Sequence, residues 1–242
     1  MKLLLGTVTL LIGASLTGGI YWAFLNTPES TIFTLAASVL LFAAAFAVSA
    51  ITLNLAIEVV THGFSSAGMR RAIGAIPAAL PAGLILLAFW WISTAVEDSV
   101  TIRSGQISAL FIARLGWADV SWLFNGIHYL AVWMRWVLGA ALAVSLMAGV
   151  LARGWAAVGQ REWIRRALHP RALLIATVAF VTLYAVPWLY LVPWRPRGLP
   201  ASSAELIFIG AKLAFTAILF AIGGAILVRE ASRVPAAPQA QP

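Results

Sequence analysis

The sequence predicts an all-α polytopic membrane protein: six transmembrane helices, with an amphipathic segment on the outer surface between helices three and four. Three observations carry this reading. Of the 242 residues, 62% are hydrophobic and only 10% charged, whereas a soluble domain averages about 45–50% apolar and about 25% charged residues. Six apolar runs are each long enough to cross a hydrocarbon core at 1.5 Å rise per residue. Most basic residues fall in the short connections between those runs. A chain of this length cannot hide so much apolar surface in a water-soluble core, so lipid must be the solvent for much of it.

Helix one is expected over residues 3–25. The start, Met1-Lys2 followed by an apolar run, has the outline of a signal peptide, but its basic region is thin. The stretch from Gly13 to Gly19 lacks a convincing small-x-small cleavage site and the apolar run continues to Leu25, so a retained helix is expected. A turn around Pro28 leads to helix two, residues 31–60, long enough to tilt or to project from the bilayer. Residues 63–71 read as a loop. Helix three covers 76–96, with Pro77 in its first turn and Pro81 expected to bend it.

Between residues 97 and 126 the apolarity drops. Ile107, Leu110, Phe111 and Leu115 recur at helical spacing among Ser104, Gln106 and Ser108, the pattern of a surface-lying helix. Trp117 and Trp122 suit an interfacial position there. Helix four is expected over 127–151, helix five over 172–192 between Pro170 and Pro193, and helix six over 204–228. Residues 1–230 thus form one transmembrane domain, and the Ala/Pro/Gln-rich tail, 231–242, is expected to be disordered on the cytoplasmic side.

Charge placement orients the chain. With six spans and both termini inside, the inner side holds Lys2, Arg70, Arg71, Arg153, Arg161, Arg165, Arg166, Arg171, Arg229 and Arg233. The outer side holds only Arg103, Arg114, Arg195 and Arg197, and also Trp194 and most acidic residues, including Glu29. This bias predicts a multi-pass protein of a bacterial-type cytoplasmic (inner) membrane with cytoplasmic termini. It also accounts for the +8 net charge without nucleic acid, for which no motif is present.

Arg135 and Lys212 are the two basic residues inside apolar runs, each about 8 residues below the outer end of its helix, or about 12 Å. His128 precedes Arg135 by seven positions and Glu205 precedes Lys212 by seven, each close to the same helical face. Buried ionisable groups in membranes find partners or line wet cavities. Arg135, Lys212, His128 and Glu205, with Trp133 and Trp136 as walls, therefore form the candidate substrate-binding set around an outer polar cavity. Snorkelling to headgroups and structural ion pairs are the alternatives. Asn54, Glu58 and His62 make a second polar stripe at i,i+4 spacing near the inner end of helix two, a candidate proton or ion-pair network with the basic loops.

Gly139 and Ala143, Ser145 and Gly149, and Gly210 and Ala214 are small-xxx-small pairs that permit close helix packing or a homo-oligomer. With no Cys, disulfides, thiolate metal sites and cysteine nucleophiles are excluded. No zinc, hydrolase-elbow or phosphate-loop motif occurs, and no cofactor is expected. A b-type haem between His62 and His169 is the redox alternative. The reading that results is a membrane protein, in contact with lipids, that binds or transports a small anionic or lipidic solute. A non-catalytic membrane subunit bound to partner chains is the other.

Overall fold

In the computed structural model, residues 1–28, 30–117, 119–191, 193 and 203–233 are described, and they contain helices and no strand. The protein is an all-α polytopic membrane protein: six helical stretches are long and apolar enough to cross a membrane. Spans one and two are α1 (Lys2–Leu25) and α2 (Ile32–Thr61), joined by a short turn. Thr31 opens α2 with a reciprocal cap, its hydroxyl accepting from Thr34 N at 3.2 Å while Thr34 Oγ1 accepts from Thr31 N at 3.0 Å. The two helices run antiparallel and close: Lys2 Nζ donates to the Thr61 carbonyl at the end of α2, and Thr17 meets Ser49 at 3.2 Å.

Glycine makes that approach possible. A Cβ on Gly13 would stand 2.1 Å from the Thr52 side chain, and one on Gly6 would stand 2.4 Å from Val60 Cγ2. This seam was not among the small-residue pairs singled out above. Of those, Gly139 packs near Phe89 and Gly149 near Ala157, whereas Gly210 has nothing within 4 Å.

Gly63, at φ +97°, ends the chain's run out of α2, and the expected loop contains a helix instead, α3 (Ser66–Gly74). Ser65 caps it by accepting from Gly68 N at 3.0 Å. Span three begins with a 3-10 turn (Ile76–Ala78) and continues as α4 (Ala79–Ile102). Pro81 lies in the first turn of α4, where a missing N–H interrupts little of the ladder. The helix runs six residues past its expected end, so Glu97 and Asp98 belong to it and not to the surface connection. The amphipathic segment is correspondingly shorter: α5 (Ser104–Leu115), closed by Gly116 at φ +68°. No residue of α5 is buried; Ser104, Ile107, Ser108 and Phe111 are half-buried, whereas Leu110, Ile112 and Leu115 are exposed.

Span four is one continuous rod of α6 (Ser121–Trp133), a π-helical stretch (Met134–Gly139) and α7 (Ala140–Arg153). After a 3-10 turn comes α8 (Glu162–Ala167), a helix in the basic connection that was expected to be loop. Span five is α9 (Pro170–Phe180), extended by π-helical turns at Val181–Ala185 and Pro187–Leu191. Pro187 lacks the N–H that an α-helical ladder would require, and π-winding shifts the acceptors one residue along. Span six is α10 (Ser203–Ser232). It outlasts its expected end, so Ala231 and Ser232 are buried helix and not tail. Glu29, Trp194, Arg195, Arg197 and the remainder of the expected tail, 234–242, lie outside the described residues.

Span four is the axis of the bundle. Its most apolar window is 67% buried, against 17% or less for the other five. Ala, Val, Gly and Ser dominate α7, and Leu146 and Met147 are each 1% exposed. α7 packs on α2, α4 and α10, while α1, α2, α4 and the far parts of α9 and α10 turn Leu, Ile, Phe and Trp outward, as lipid contact requires. The bundle has two unlike ends. Lys2, Arg71, Arg153, Arg166, Arg229 and Arg233 gather at one, the basic end; Glu97, His128 and α5 lie at the other, the far end.

The glycine seam gives the first prediction. Gly13→Val should destabilise the detergent-solubilised protein by about 1–3 kcal/mol through overpacking against Thr52, while Gly18→Val, with nothing within 4 Å, should leave the unfolding midpoint in place. Equal midpoints for the two variants would refute the close span-one/span-two contact.

Candidate functional site

Arg135 lies in the π-helical stretch of span four, 14% exposed, and faces span three. Its guanidinium donates to the Glu97 carboxylate from Nη2 and to Ser93 Oγ from Nε, and Cζ stands 5.1 Å from the Trp90 ring centroid. Residues 90, 93 and 97 share one face of α4 at helical spacing. Ser93, 1% exposed, donates its own hydroxyl hydrogen bond to the Trp90 carbonyl at 2.9 Å. His128, one face with Arg135 on span four, reaches the other oxygen of Glu97, with Nδ1 2.7 Å from Oε1. The carboxylate is thus clamped between an intramembrane cation and an exposed imidazole, which explains how span three carries Glu97 inside a helix.

The two tryptophans of this region, Trp133 and Trp136, reach span five. Trp133 Nε1 donates to Thr177 Oγ1 of span five at 2.9 Å. Trp136 packs on Tyr184 of span five, centroids 5.8 Å apart, and Tyr184 stacks near Phe220 of span six at 4.3 Å. Lys212, half-buried on span six, holds Nζ 5.4 Å from the Phe208 centroid, and Glu205 sits in the first turn of α10, where a carboxylate is favoured by the helix dipole. The structure therefore joins His128 to Arg135 through Glu97, brings Trp133 and Trp136 to span five, and places Lys212 over the Phe208 ring.

Asn54, Glu58 and His62 line one face of α2 at the basic end. Asn54 is fully buried, its Nδ2 donating to the Ala72 carbonyl of α3 at 3.0 Å. Glu58, 3% exposed, accepts from Arg71 Nη2 at 3.0 Å and lies 3.3 Å from His62 Nδ1. His62 is the C-cap of α2 and His169 the exposed N-cap of α9. Among the described residues, no group of three or more His, Asp or Glu is gathered in metal-binding geometry.

Sequence reasoning did not single out the middle of the bundle. There, Leu10, Leu53, Leu86, Val144, Ala179 and Leu227, one from each span, contribute to a cleft of about 350 Å³. Trp136, Phe180, Tyr184 and Phe220 ring one end of it. Its walls are carbon apart from the Trp136 and Tyr184 polar tips and backbone. No local signal could reveal such a cleft, because its lining reads as ordinary apolar span in every helix. Compared with known proteins, the chain matches no family model, no curated protein and no solved structure.

The charge clamp predicts a mutational asymmetry. Arg135→Met or Glu97→Leu alone should each cost about 3–5 kcal/mol by leaving the other charge without its partner, and the double variant should recover most of that loss. Unfolding in detergent measures all three; strictly additive losses would show that the pair is not coupled.

Proposed function

We propose that this chain is a cytoplasmic-membrane protein, with both termini and the 153–171 connection inside, that binds a lipidic solute between its spans and moves it. The observation that carries the reading is the cleft. It falls within the range of about 300–1,000 Å³ common to small-ligand pockets, and all six spans contribute to it. A dedicated apolar space favours a solute with a hydrocarbon body, since a hydrophilic ion would lose its hydration there with nothing in return. The aromatic ring at one end offers flat, polarizable walls with two polar tips, suited to the end of such a molecule.

The Arg135 clamp lies beside this cleft and not in its lining. Trp90 packs edge-on against Trp136 at 6.2 Å, so the same aromatic contact borders the charge pair on one side and the cleft on the other. Arg135 and Glu97 support the reading as the group that fixes span three against span four where the aromatic ring forms. An anionic solute reaching Arg135 would have to compete with Glu97.

Two measurements test the proposal. With the protein in nanodiscs, a spin-labelled single-chain lipid should show an immobilised fraction that falls at least severalfold in Ala140→Leu and Ala179→Leu, both of which fill the cleft. Equal immobilisation in wild type and both variants would dismiss the cleft as the site. For orientation, the cysteine-free chain allows labelling without background: a cysteine at Arg161 should resist impermeant reagent added outside intact cells. Labelling there from outside would reverse the topology. A membrane subunit lacking its own solute would instead copurify with partners and immobilise no probe.

A further inference from the structure

We infer that the basic end of the bundle is built as a binding site for a phosphate-type oxyanion, where the ends of spans two, four and six meet α3 and α8. A cavity of about 500 Å³ opens there. Arg71, Arg166, Arg229 and Arg233 line it, with His62 and one lining carboxylate, Glu58. It shares no lining residue with the apolar cleft, so the inference stands independently of the lipidic reading.

The local charges do not cancel. Glu58 is engaged by Arg71, and Glu230, 8% exposed, accepts from Arg233 at 2.8 Å. Each of those arginines has further N–H groups, because a guanidinium carries five and these bonds use few. Arg71 is 51% and Arg233 45% exposed, so their free donors are accessible. Arg229 adds a third exposed guanidinium, one residue before Glu230 on α10.

Arg166 is the group that points to a ligand. It is held on α8, which packs against α7, and Ser145 of α7 fastens that helix by donating to the Trp163 carbonyl at 2.8 Å. The side chain is 5% exposed, yet its Nε has no acceptor among the described residues. Its Nη2 stands 3.6 Å from Glu162, whose carboxylate already accepts from Arg153 at 2.7 Å. Burial, and then the neighbouring Arg153 charge, hold the guanidinium below its ordinary value; an arginine so lowered is still a cation at neutral pH. Ser232, 6% exposed on the same cavity wall, also has a hydroxyl without a partner among the described residues. Two buried donors without acceptors are costly unless something supplies the oxygen.

A phosphate-type group answers this arrangement better than a carboxylate. It presents several acceptor oxygens in three dimensions, so guanidinium forks from different helices can each bind it, with a hydroxyl completing the set. The site lies at the span ends, within reach of water and of headgroups alike, so the oxyanion can be free in solution or carried by an acidic phospholipid. The chemistry of recognition is the same in both cases.

The test uses the full chain in neutral maltoside micelles, with inorganic phosphate titrated calorimetrically in one arm. In the other, phosphatidylglycerol is compared with phosphatidylcholine in mixed micelles. Saturable binding is expected in at least one arm: phosphate identifies a free oxyanion, phosphatidylglycerol alone a headgroup. Arg229→Gln and Arg233→Gln, both exposed and tolerable to the fold, should each weaken that binding roughly tenfold, the worth of one charge-assisted hydrogen bond. Arg103→Gln and Arg114→Gln at the far end should leave it unchanged. Arg166→Gln should abolish it in a sample that still elutes as a single species. No saturation with either probe overturns the inference. So does equal binding by wild type and the Arg229 and Arg233 variants, or an equal loss from the far-end controls.

Discussion

Span four is the helix most enclosed by its neighbours, with every residue from Ala141 to Val150 buried. Polar side chains that it turns into the bundle need a neighbour to answer them, since hydrocarbon offers no partner. Arg135 is answered by Glu97 and Ser93 on span three, Trp133 by Thr177 on span five, and Ser145 by the Trp163 carbonyl on α8. Those bonds fix three different elements around one rod. Between them the rod is Ala, Gly, Val and Leu, which lets the neighbours approach and leaves dispersion contacts to hold them.

The π-helical stretch at Met134–Gly139 falls where these demands diverge. Adjacent residues there serve different partners: Arg135 turns to a charge partner on span three, and Trp136 lies between Trp90 of span three and Tyr184 of span five. Wider winding changes the angular register of a helix locally, and such interruptions recur at functional sites. Span five is π-wound opposite, around Tyr184. The polar clamp and the aromatic end of the cleft therefore meet at one local departure from α-helical geometry.

How much of this was legible follows from what each signal depends on. Spans are dictated by composition over some twenty consecutive residues, so six apolar runs were readable as six helices. Ends were harder, because a charge normally marks them. Glu97 reads as the start of a polar connection until Arg135 is seen to neutralise it. Ala231 and Ser232 read as tail until they are found buried at the end of α10. The outlay of basic residues was likewise readable, but not that Arg166 would be drawn under α7, since residues 153–171 look like a solvated basic loop. His128 and Arg135 were recognisable as a pair by spacing. Equal depth sets Lys212 at their level but leaves open its rotation about the axis, a coordinate that depth along a helix does not supply.

That coordinate also separates the two cavities. Along spans two, four and six, the cleft is lined by Leu53, Val144 and Val228, and the basic cavity by Ile57, Ala148 and Ser232. Each pair is one helical turn apart, about 6 Å at α-helical rise. Ile57, Val144, Met147, Ala148 and Val228 belong to one packed cluster, with Met147 and Val228 almost fully buried. A layer this thin has an electrostatic consequence. Charge interactions between groups are strengthened as water is excluded, so the arginines at the basic end are felt in the cleft even though none lines it. The polarity of the bundle along its axis is therefore built into the packing: carbon and aromatic rings in the middle, a neutralised ion pair at the far end, and uncancelled positive charge one turn beyond the cleft.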